Sequence, residues 1–414
     1  MRYVVIGDGP AGVVAAETLR KADPAGGIRL VGEEHSAPYS RMAIPYLLMG
    51  RIGEDGMHLR KSGGHFERHH IERIKGRAVA IDRAAGHVVL ADGRKLDYDR
   101  MLLATGCRPI RPPIPGMDLP GVHSCWTIED ARAVMRLARP GARVVQMGAG
   151  FIGCIVMEAL AARGVDLTVV EAGDRMVPRM MTQKAGGLIK RWCQARGVKV
   201  FTSAKVESIE PAGKGAALVV RLSGGESLRA DLVISATGVR PCLDLAASAG
   251  LATGVGIRVD NGMRTSDPRI FAAGDAAQAE EFYTRNKVVN AVQPNAAEQA
   301  RVAALNMAGG DAVSPGTFAM NVLDTLGLIA ASFGQWQGVP GGEAVERVDE
   351  QAWRYVGLQF DGDRLIGATT LGFTENVGVL RGLIQSGRPI RAKAGIGTDP
   401  RDLVKAYIAS VHAA

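Results

Sequence analysis

The sequence predicts an α/β protein with two dinucleotide-binding βαβ units, followed by a smaller α+β domain. Two glycine-rich fingerprints support this prediction, at residues 7–12 and at residues 148–153. Each fingerprint follows a short apolar segment of buried-strand type and precedes a segment with helical periodicity. A third observation is the change after residue 320, where β-rich segments separated by turns replace the βαβ pattern.

The two units repeat the same parts in the same order: strand, glycine turn, helix, second strand and acid. In the first unit these are residues 3–6, Gly7 with Gly9 and Gly12, residues 13–22, residues 28–31, and Glu33 with Glu34. In the second unit they are residues 143–147, Gly148 with Gly150 and Gly153, residues 154–164, residues 166–170, and Glu171.

Each part of this pattern has a chemical reason. The first glycine permits the tight turn from strand to helix, the second lets the backbone approach a pyrophosphate, and the third lets helix and strand pack closely. The amino terminus of the helix offers free N–H groups and a partial positive charge to the phosphates. The acid accepts hydrogen bonds from ribose hydroxyls. Two such units therefore predict two dinucleotide sites.

The rest of the chain repeats on the scale of a domain. Both βαβ units are followed by short strands that end in Ala-Thr-Gly, and the second group includes a strand over residues 216–222. A further buried strand delivers Asp275 to its end, and residues 295–308 predict a helix. The terminal domain closes on helices near 374–386 and 400–412.

Composition and charge exclude several classes of protein. Net charge is +8, but the 50 lysines and arginines are dispersed without a basic run, so the surface favours an acidic protein partner over nucleic acid. The five scattered cysteines form no C-x-x-C pair, and a strand begins at once, which favours the cytoplasm. No apolar run is long enough to predict a membrane span, and no metal site is predicted.

These motifs resemble the pyridine nucleotide–disulfide oxidoreductase superfamily, and within it the branch of rubredoxin and ferredoxin reductases and the flavin part of nitrite reductase. The resemblance also rests on the segments 38–41 (P-Y-S-R) and 271–275 (F-A-A-G-D) and on the two Ala-Thr-Gly elements. It implies a glutathione reductase-like fold with a discontinuous FAD domain (1–115 and 241–319), an NAD(P)H domain (116–240) and an α+β interface domain (320–414) that forms a homodimer.

The resemblance also implies the residues of both cofactor sites. Those for FAD are Gly7, Gly9, Pro10, Ala11, Gly12, Glu33 with Glu34 as its substitute, Arg41, Val79, Ala104, Thr105, Gly106, Gly274 and Asp275. Those for the nicotinamide nucleotide are Gly148, Gly150, Phe151, Ile152, Gly153, Glu171 and Gly238. A carboxylate at the position of Glu171 favours NADH over NADPH, because it bonds a 2′-hydroxyl and repels a 2′-phosphate; Arg175 would soften that preference.

The chain departs from its relatives at two places. The thiol-dependent branches carry a reactive cysteine in the stretch that corresponds to residues 39–48, where this chain has none. The nearest branch usually has a lysine and a glutamate that pair beside the flavin. Here Tyr46 and Ile155 occupy those positions, as expected if a buried ion pair is replaced as a unit. They are the candidate residues of the reaction site.

The leading hypothesis is an FAD-containing reductase that passes electrons from NADH through flavin to an acidic iron–sulfur protein of the ferredoxin or rubredoxin type. Two alternatives remain open at this point. One is a flavin oxidase or reductase that acts on a small molecule. The other is a flavoprotein subunit of a larger complex, whose nucleotide site is mainly structural.

Overall fold

Two parallel sheets organise the fold, and each belongs to a separate unit of the chain. The structure, a computed structural model, describes residues 1–213, 218–372, 374–375, 377–390, 393–397 and 399–412. With those gaps, unit 1 comprises Met1–Ala43, Ile52–Arg108 and Val239–Phe318. Unit 2 comprises Ile44–Arg51, Pro109–Gly238 and Ala319–Ala414. The assignment of three functional domains stays a prediction.

The helices of the described residues, in chain order, are α1 (Pro10–Ala22), α2 (Ile44–Leu48), α3 (His65–Arg68), α4 (Ile128–Leu137), α5 (Phe151–Ala161), α6 (Gln183–Gln194), α7 (Asp244–Ser248), α8 (Gln293–Met307), α9 (Val377–Ser386) and α10 (Pro400–His412).

The strands of the same residues are β1 (Arg2–Ile6), β2 (Gly27–Gly32), β3 (Ile71–Lys75), β4 (Ala78–Asp82), β5 (His87–Leu90), β6 (Lys95–Asp97), β7 (Arg100–Leu103), β8 (Cys107–Pro109), β9 (Val122–His123), β10 (Arg143–Met147), β11 (Asp166–Val170), β12 (Lys199–Phe201), β13 (Val206–Pro211), β14 (Leu218–Leu222), β15 (Ser227–Ala230), β16 (Leu232–Ser235), β17 (Val239–Pro241), β18 (Ile257–Arg258), β19 (Ile270–Ala272), β20 (Ala277–Glu280), β21 (Lys287–Val288), β22 (Met320–Thr325), β23 (Leu328–Gly334), β24 (Glu343–Asp349), β25 (Arg354–Asp361) and β26 (Arg364–Leu371).

Unit 1 is built on a five-stranded parallel sheet in the order β19-β7-β1-β2-β3. Strand β1 reads as a continuous apolar run because it is central and both faces are covered; Val4 and Val5 are fully buried. Helices α1 and α8 pack against each other, and the buried residues Ala16, Ala300 and Ala303 let them approach closely. The loops that follow β1, β7 and β19 therefore meet at one edge of this sheet, as ligand loops do in such folds.

Unit 2 contains the second parallel sheet, in the order β12-β11-β10-β16-β9, and a five-stranded antiparallel sheet, β22-β23-β26-β25-β24. The antiparallel sheet lies against the parallel-sheet layer through α6. There Thr182 caps the start of α6 and donates its hydroxyl to Tyr355 of β25 at 2.9 Å. Tyr355 in turn donates to Glu346 of β24 at 2.9 Å.

The predicted fold class is confirmed, and the differences lie at the boundaries of elements. Helices α1 and α5 begin at Pro10 and Phe151, so the third glycine of each fingerprint lies inside a helix rather than before it. Helix α8 begins two residues earlier than predicted, at Gln293. Residues 216–217 of the predicted strand lie outside the described residues, as does residue 376 of the predicted helix near 374–386. The same holds for residues 373, 391–392, 398 and 413–414 of the predicted terminal domain.

Candidate nucleotide sites

The first fingerprint forms a tight turn that only glycine can make at its ends. Gly7 has a φ of +107°, and a Cβ there would lie 2.1 Å from the carbonyl oxygen of Ala104. A Cβ on Gly12 would lie 1.8 Å from the Gly7 carbonyl oxygen. Gly9 is different, since a Cβ there would meet no atom within 4 Å. The space above the second glycine is thus open at the start of α1, where a pyrophosphate would bind.

The second fingerprint has the same construction in unit 2. Gly148 has a φ of +97°, and its Cβ would lie 2.4 Å from the Ala236 carbonyl oxygen. A Cβ on Gly153 would lie 2.4 Å from the Gly148 carbonyl oxygen, whereas one on Gly150 would meet nothing within 4 Å. Both glycine cradles therefore fit a dinucleotide, and both leave the second glycine uncovered.

Glu171 is fixed at the end of β11 by two backbone donors. Its carboxylate accepts hydrogen bonds from the N–H of Ala149 at 2.6 Å and from that of Gly173 at 2.7 Å. The Arg175 guanidinium donates to the carbonyls of Met181 and Pro178 and pairs with Asp174. These contacts compete with the expected softening of the NADH preference by Arg175, which stays a prediction.

The two candidate acids of unit 1 have different surroundings. Glu33 is exposed and lies 3.8 Å from Arg77. Glu34 is half-buried, and it accepts hydrogen bonds from the Tyr39 hydroxyl and the Arg41 guanidinium, both at 2.6 Å. Glu34 thus forms an ion pair with Arg41, the arginine of the segment 38–41 on which the family resemblance rests.

Asp275 lies in a short turn after β19, where the Cys107 thiol donates to its carboxylate at 3.1 Å. Burial raises the pKa of Asp275, and the bond from Cys107 opposes that shift. Burial also raises the pKa of the Cys107 thiol strongly, and the negative charge of Asp275 adds to the effect. Cys107 is therefore a protonated hydrogen-bond donor rather than a thiolate.

The remaining predicted residues are distributed over both units. Ala104 is buried, and the Thr105 hydroxyl donates to the carbonyl of Cys242 at 3.0 Å in unit 1. Val79 is exposed on β4 of the same unit. Gly238 has a φ of +112° in unit 2, close to Ile110.

Tyr46 and Ile155, the two replaced positions, both belong to unit 2. Helix α2, which carries Tyr46, packs against α5, which carries Ile155. Tyr46 is 48% exposed and Ile155 is half-buried. The structure therefore brings their two helices together, and the replacement of a charged pair as a unit stays a prediction.

Two buried glutamines support the nucleotide loops, and sequence reasoning did not find them. Gln146 of β10 is fully buried, and its amide donates to the Gly148 and Gly153 carbonyls at 2.9 and 2.8 Å. Gln299 of α8 accepts from the N–H of Gly274 at 2.8 Å. The available signal was a polar residue inside an otherwise apolar strand, RVVQM, and one inside an alanine-rich helix.

Further findings concern the whole described chain. No helix formed by the described residues is long and apolar enough to cross a membrane. Among the same residues, no three histidine, cysteine or acidic side chains come close enough to hold a metal ion.

Comparison with known proteins identifies the family. The pyridine nucleotide-disulphide oxidoreductase family matches residues 1–304, and the chain belongs to it. Members of this family are flavoproteins that use FAD and NAD(H), which confirms the predicted class of enzyme and both predicted cofactors.

Three relatives narrow the comparison. The chain is 33% identical over 365 residues to the NADH-dependent phenylglyoxylate dehydrogenase subunit epsilon of Aromatoleum evansii, covering 87% of this chain and 86% of that protein. It is 31% identical over 386 residues to the rubredoxin-NAD(+) reductase of Pseudomonas putida, covering 93% and 99%. The crystal structure of the covalent putidaredoxin reductase–putidaredoxin complex matches with a TM-score of 0.90 at 27% identity, covering 100% and 99%.

Proposed function

We propose that this chain is an NADH-dependent reductase that contains FAD and supplies electrons to a separate iron–sulfur protein of the ferredoxin or rubredoxin type. The observation that carries the proposal is the presence of two complete glycine cradles, one per unit, each with an uncovered second glycine. The comparison supports the same proposal, because the similarity to a rubredoxin-NAD(+) reductase extends over 93% of this chain.

In this proposal unit 1 holds FAD. The N–H groups around Gly9 and the start of α1 would bind the pyrophosphate, and Arg41 would contact the phosphates or the ribityl chain. Asp275, held in place by Cys107, would accept a hydrogen bond from a ribityl hydroxyl. The other proposed FAD contacts are Gly7, Pro10, Ala11, Gly12, Val79, Ala104, Thr105, Gly106 and Gly274.

Unit 2 would hold NADH at its own cradle. Gly150 and the start of α5, with Phe151 and Ile152, would bind the pyrophosphate. Glu171 would accept from the ribose hydroxyls, and Gly238 would border the nucleotide. The Arg175 guanidinium is bonded to Met181, Pro178 and Asp174 and so does not offset the repulsion between Glu171 and a 2′-phosphate, which makes NADH the preferred nucleotide.

FAD, when bound, accepts two electrons and releases them one at a time, which is what an iron–sulfur acceptor requires. The protein's task is to position and shield. A thiol relay has no candidate in residues 39–48, and the one cysteine bonded to Asp275 has a raised pKa. This favours direct electron transfer to a protein acceptor over disulfide chemistry.

The test is an anaerobic titration of the purified protein with NADH and, separately, with NADPH. NADH should bleach the flavin absorbance at stoichiometric amounts, and added ferredoxin or rubredoxin should restore it while the carrier becomes reduced. A flavin that stays oxidised with NADH would refute the proposal. Turnover with oxygen, quinones or dyes that equals turnover with either carrier would instead favour an enzyme acting on small molecules.

A second candidate is a flavoprotein subunit of a larger enzyme. The observation that favours it is the similarity over 87% of this chain to a protein described as subunit epsilon of a phenylglyoxylate dehydrogenase. Isolation of the native protein distinguishes the two candidates. A stoichiometric partner, without which NADH reduces no carrier, would support the subunit.

We also propose that the protein works in the cytoplasm and forms a homodimer through the terminal domain. The cytoplasmic proposal rests on five free cysteines, four of them buried. Light scattering of the purified protein tests the oligomeric state.

A further inference from the structure

The two nucleotide units can be aligned on a hydrogen bond that they share. The N–H of Gly7 donates to the carbonyl of Val31 at 2.8 Å, and the N–H of Gly148 donates to that of Val170 at 2.7 Å. The residue after each acceptor is therefore equivalent in the two units. In unit 2 that residue is Glu171, whereas in unit 1 it is Gly32, which has no side chain.

The carboxylate of Glu171 marks where the ribose-binding acid sits in this construction. It lies against the second residue of the fingerprint, accepting from the Ala149 N–H at 2.6 Å. The equivalent second residue in unit 1 is Asp8. Its side chain belongs to the same position of the fingerprint as Ala149, and it is an acid where unit 2 has only a methyl group.

Asp8 also fills the space that a side chain at the end of β2 would need. A Cβ on Gly32 would lie 2.1 Å from Oδ2 of Asp8, and its three nearest atoms would all belong to the Asp8 carboxyl. Both units thus place a carboxylate at the end of the second strand, but from different positions in the sequence.

We propose that Asp8 provides the carboxylate that binds the adenosine ribose hydroxyls of FAD, in place of an acid at the end of β2. This inference rests on the assignment of FAD to unit 1. The side chain is 20% exposed, so it is reachable from solvent on one side. Arg73 of β3 lies 3.9 Å away and partly balances its charge, while burial raises its pKa.

The two acids favoured by the sequence are less suitable for this role. Glu33 is exposed and faces Arg77. Glu34 accepts its hydrogen bonds from the side chains of Tyr39 and Arg41, whereas Glu171 accepts one from the backbone of the fingerprint itself. Neither occupies the point that Glu171 marks in unit 2.

The experiment measures binding of FAD to the full-length apoprotein by flavin fluorescence, compared with an FAD analogue that lacks the 2′-hydroxyl of its adenosine ribose. A hydrogen bond to a charged group is worth enough for about a tenfold preference for FAD over the analogue. We expect this preference in the wild type and also in E33Q and E34Q, which test the two acids favoured by the sequence. E34Q removes the charged partner of Arg41, so it should weaken FAD and the analogue equally and keep the preference. We expect D8A to bind FAD about tenfold more weakly and to lose the preference.

A transplant variant makes the test stricter. The double substitution D8A/G32E gives unit 1 the arrangement of Ala149 and Glu171. Gly32 has no positive φ, and removal of the Asp8 carboxyl vacates the space for a side chain. The double variant should regain both affinity and preference, and the regain also excludes misfolding as the cause of the loss in D8A.

The inference is overturned if D8A retains the preference or if E34Q loses it. Its failure is separable from failure of the proposed function. If FAD binds with an Asp8-dependent preference but no iron–sulfur carrier is reduced, only the proposed function falls. If the carrier is reduced and D8A still discriminates between FAD and the analogue, only the proposed role of Asp8 is refuted.

Discussion

Gln146 gives the sharpest prediction for the glycine cradle that we assign to NADH, through the substitution Gln146→Leu. The leucine keeps the volume of a fully buried side chain and removes the bonds to Gly148 and Gly153. Two neutral hydrogen bonds contribute a net of about 1–3 kcal/mol. The Oε1 of Gln146 has no hydrogen-bond partner among the described residues. Removing this buried, unsatisfied oxygen should stabilise the folded protein by about 1–3 kcal/mol.

The two contributions nearly cancel in the free energy of unfolding, which should change by less than about 2 kcal/mol. They do not cancel in the cradle, because both lost bonds hold the first and third glycines of the fingerprint. If the looser cradle lowers the binding free energy of NAD⁺ by about 1 kcal/mol, the Kd for NAD⁺ rises about fivefold. FAD content should be unchanged, because Gln146 and the FAD cradle belong to different units.

Calorimetric titration with NAD⁺ measures the effect, and a thermal unfolding curve checks stability. The matched control is Gln299→Leu, which removes the buried acceptor of the Gly274 N–H and should weaken FAD rather than NAD⁺. The reasoning is refuted if Gln146→Leu binds NAD⁺ like the wild type, or if it loses FAD as readily as Gln299→Leu does.

Three further predictions concern the nucleotide, the replaced pair and stability. Glu171→Ala should lower the preference for NADH over NADPH about tenfold, because it removes a charge that repels a 2′-phosphate; a kcat/KM ratio equal to that of the wild type would contradict this. Tyr46→Lys with Ile155→Glu should speed reduction of the flavin by NADH in stopped-flow measurements, whereas each single change, which leaves an unpaired charge, should slow it; singles as fast as the double would sink the idea of a pair. Burial raises the pKa of Asp267, but hydrogen bonds from the Arg269 N–H and from Arg83 outweigh it and leave the pKa lowered. The stability that this carboxylate contributes is therefore present above its unfolded pKa of about 4 and is lost as pH falls through the folded value. Asp267→Asn should be less stable than the wild type by about 1–3 kcal/mol at pH 7, with a thermal-unfolding difference that shrinks in acid; a difference independent of pH would contradict the assignment.

The fold was predictable because its determinants are local in sequence. Strand β1 is a continuous apolar run in the sequence. Gly7 and Gly12 are required because a Cβ on either would lie only 2.1 or 1.8 Å from a backbone carbonyl oxygen. Such contacts tolerate no side chain, so glycine marks the cradle whatever the rest of the sequence does. The two parallel sheets follow from two such units.

The site was less predictable where it depends on contacts between distant residues. Glu33 and Glu34 stand where a motif expects an acid, but the sequence cannot show that Arg77 and Arg41 already engage them. Nor does it show that Asp8 fills the space over Gly32, because that overlap exists only once β2 pairs with β1. Arg175 appeared available for the same reason, since its acceptors are backbone carbonyls that any sequence provides.

The hydrogen bond from Cys107 to Asp275 has a consequence for oxidative stress. Oxidants attack thiolates rather than protonated thiols, and the pKa of this cysteine is raised while four of the five cysteines are buried. The site that we assign to the flavin therefore contains a sulfur that peroxide should oxidise slowly. We therefore expect treatment with peroxide to leave FAD binding at this site unchanged, which flavin fluorescence before and after the treatment would measure.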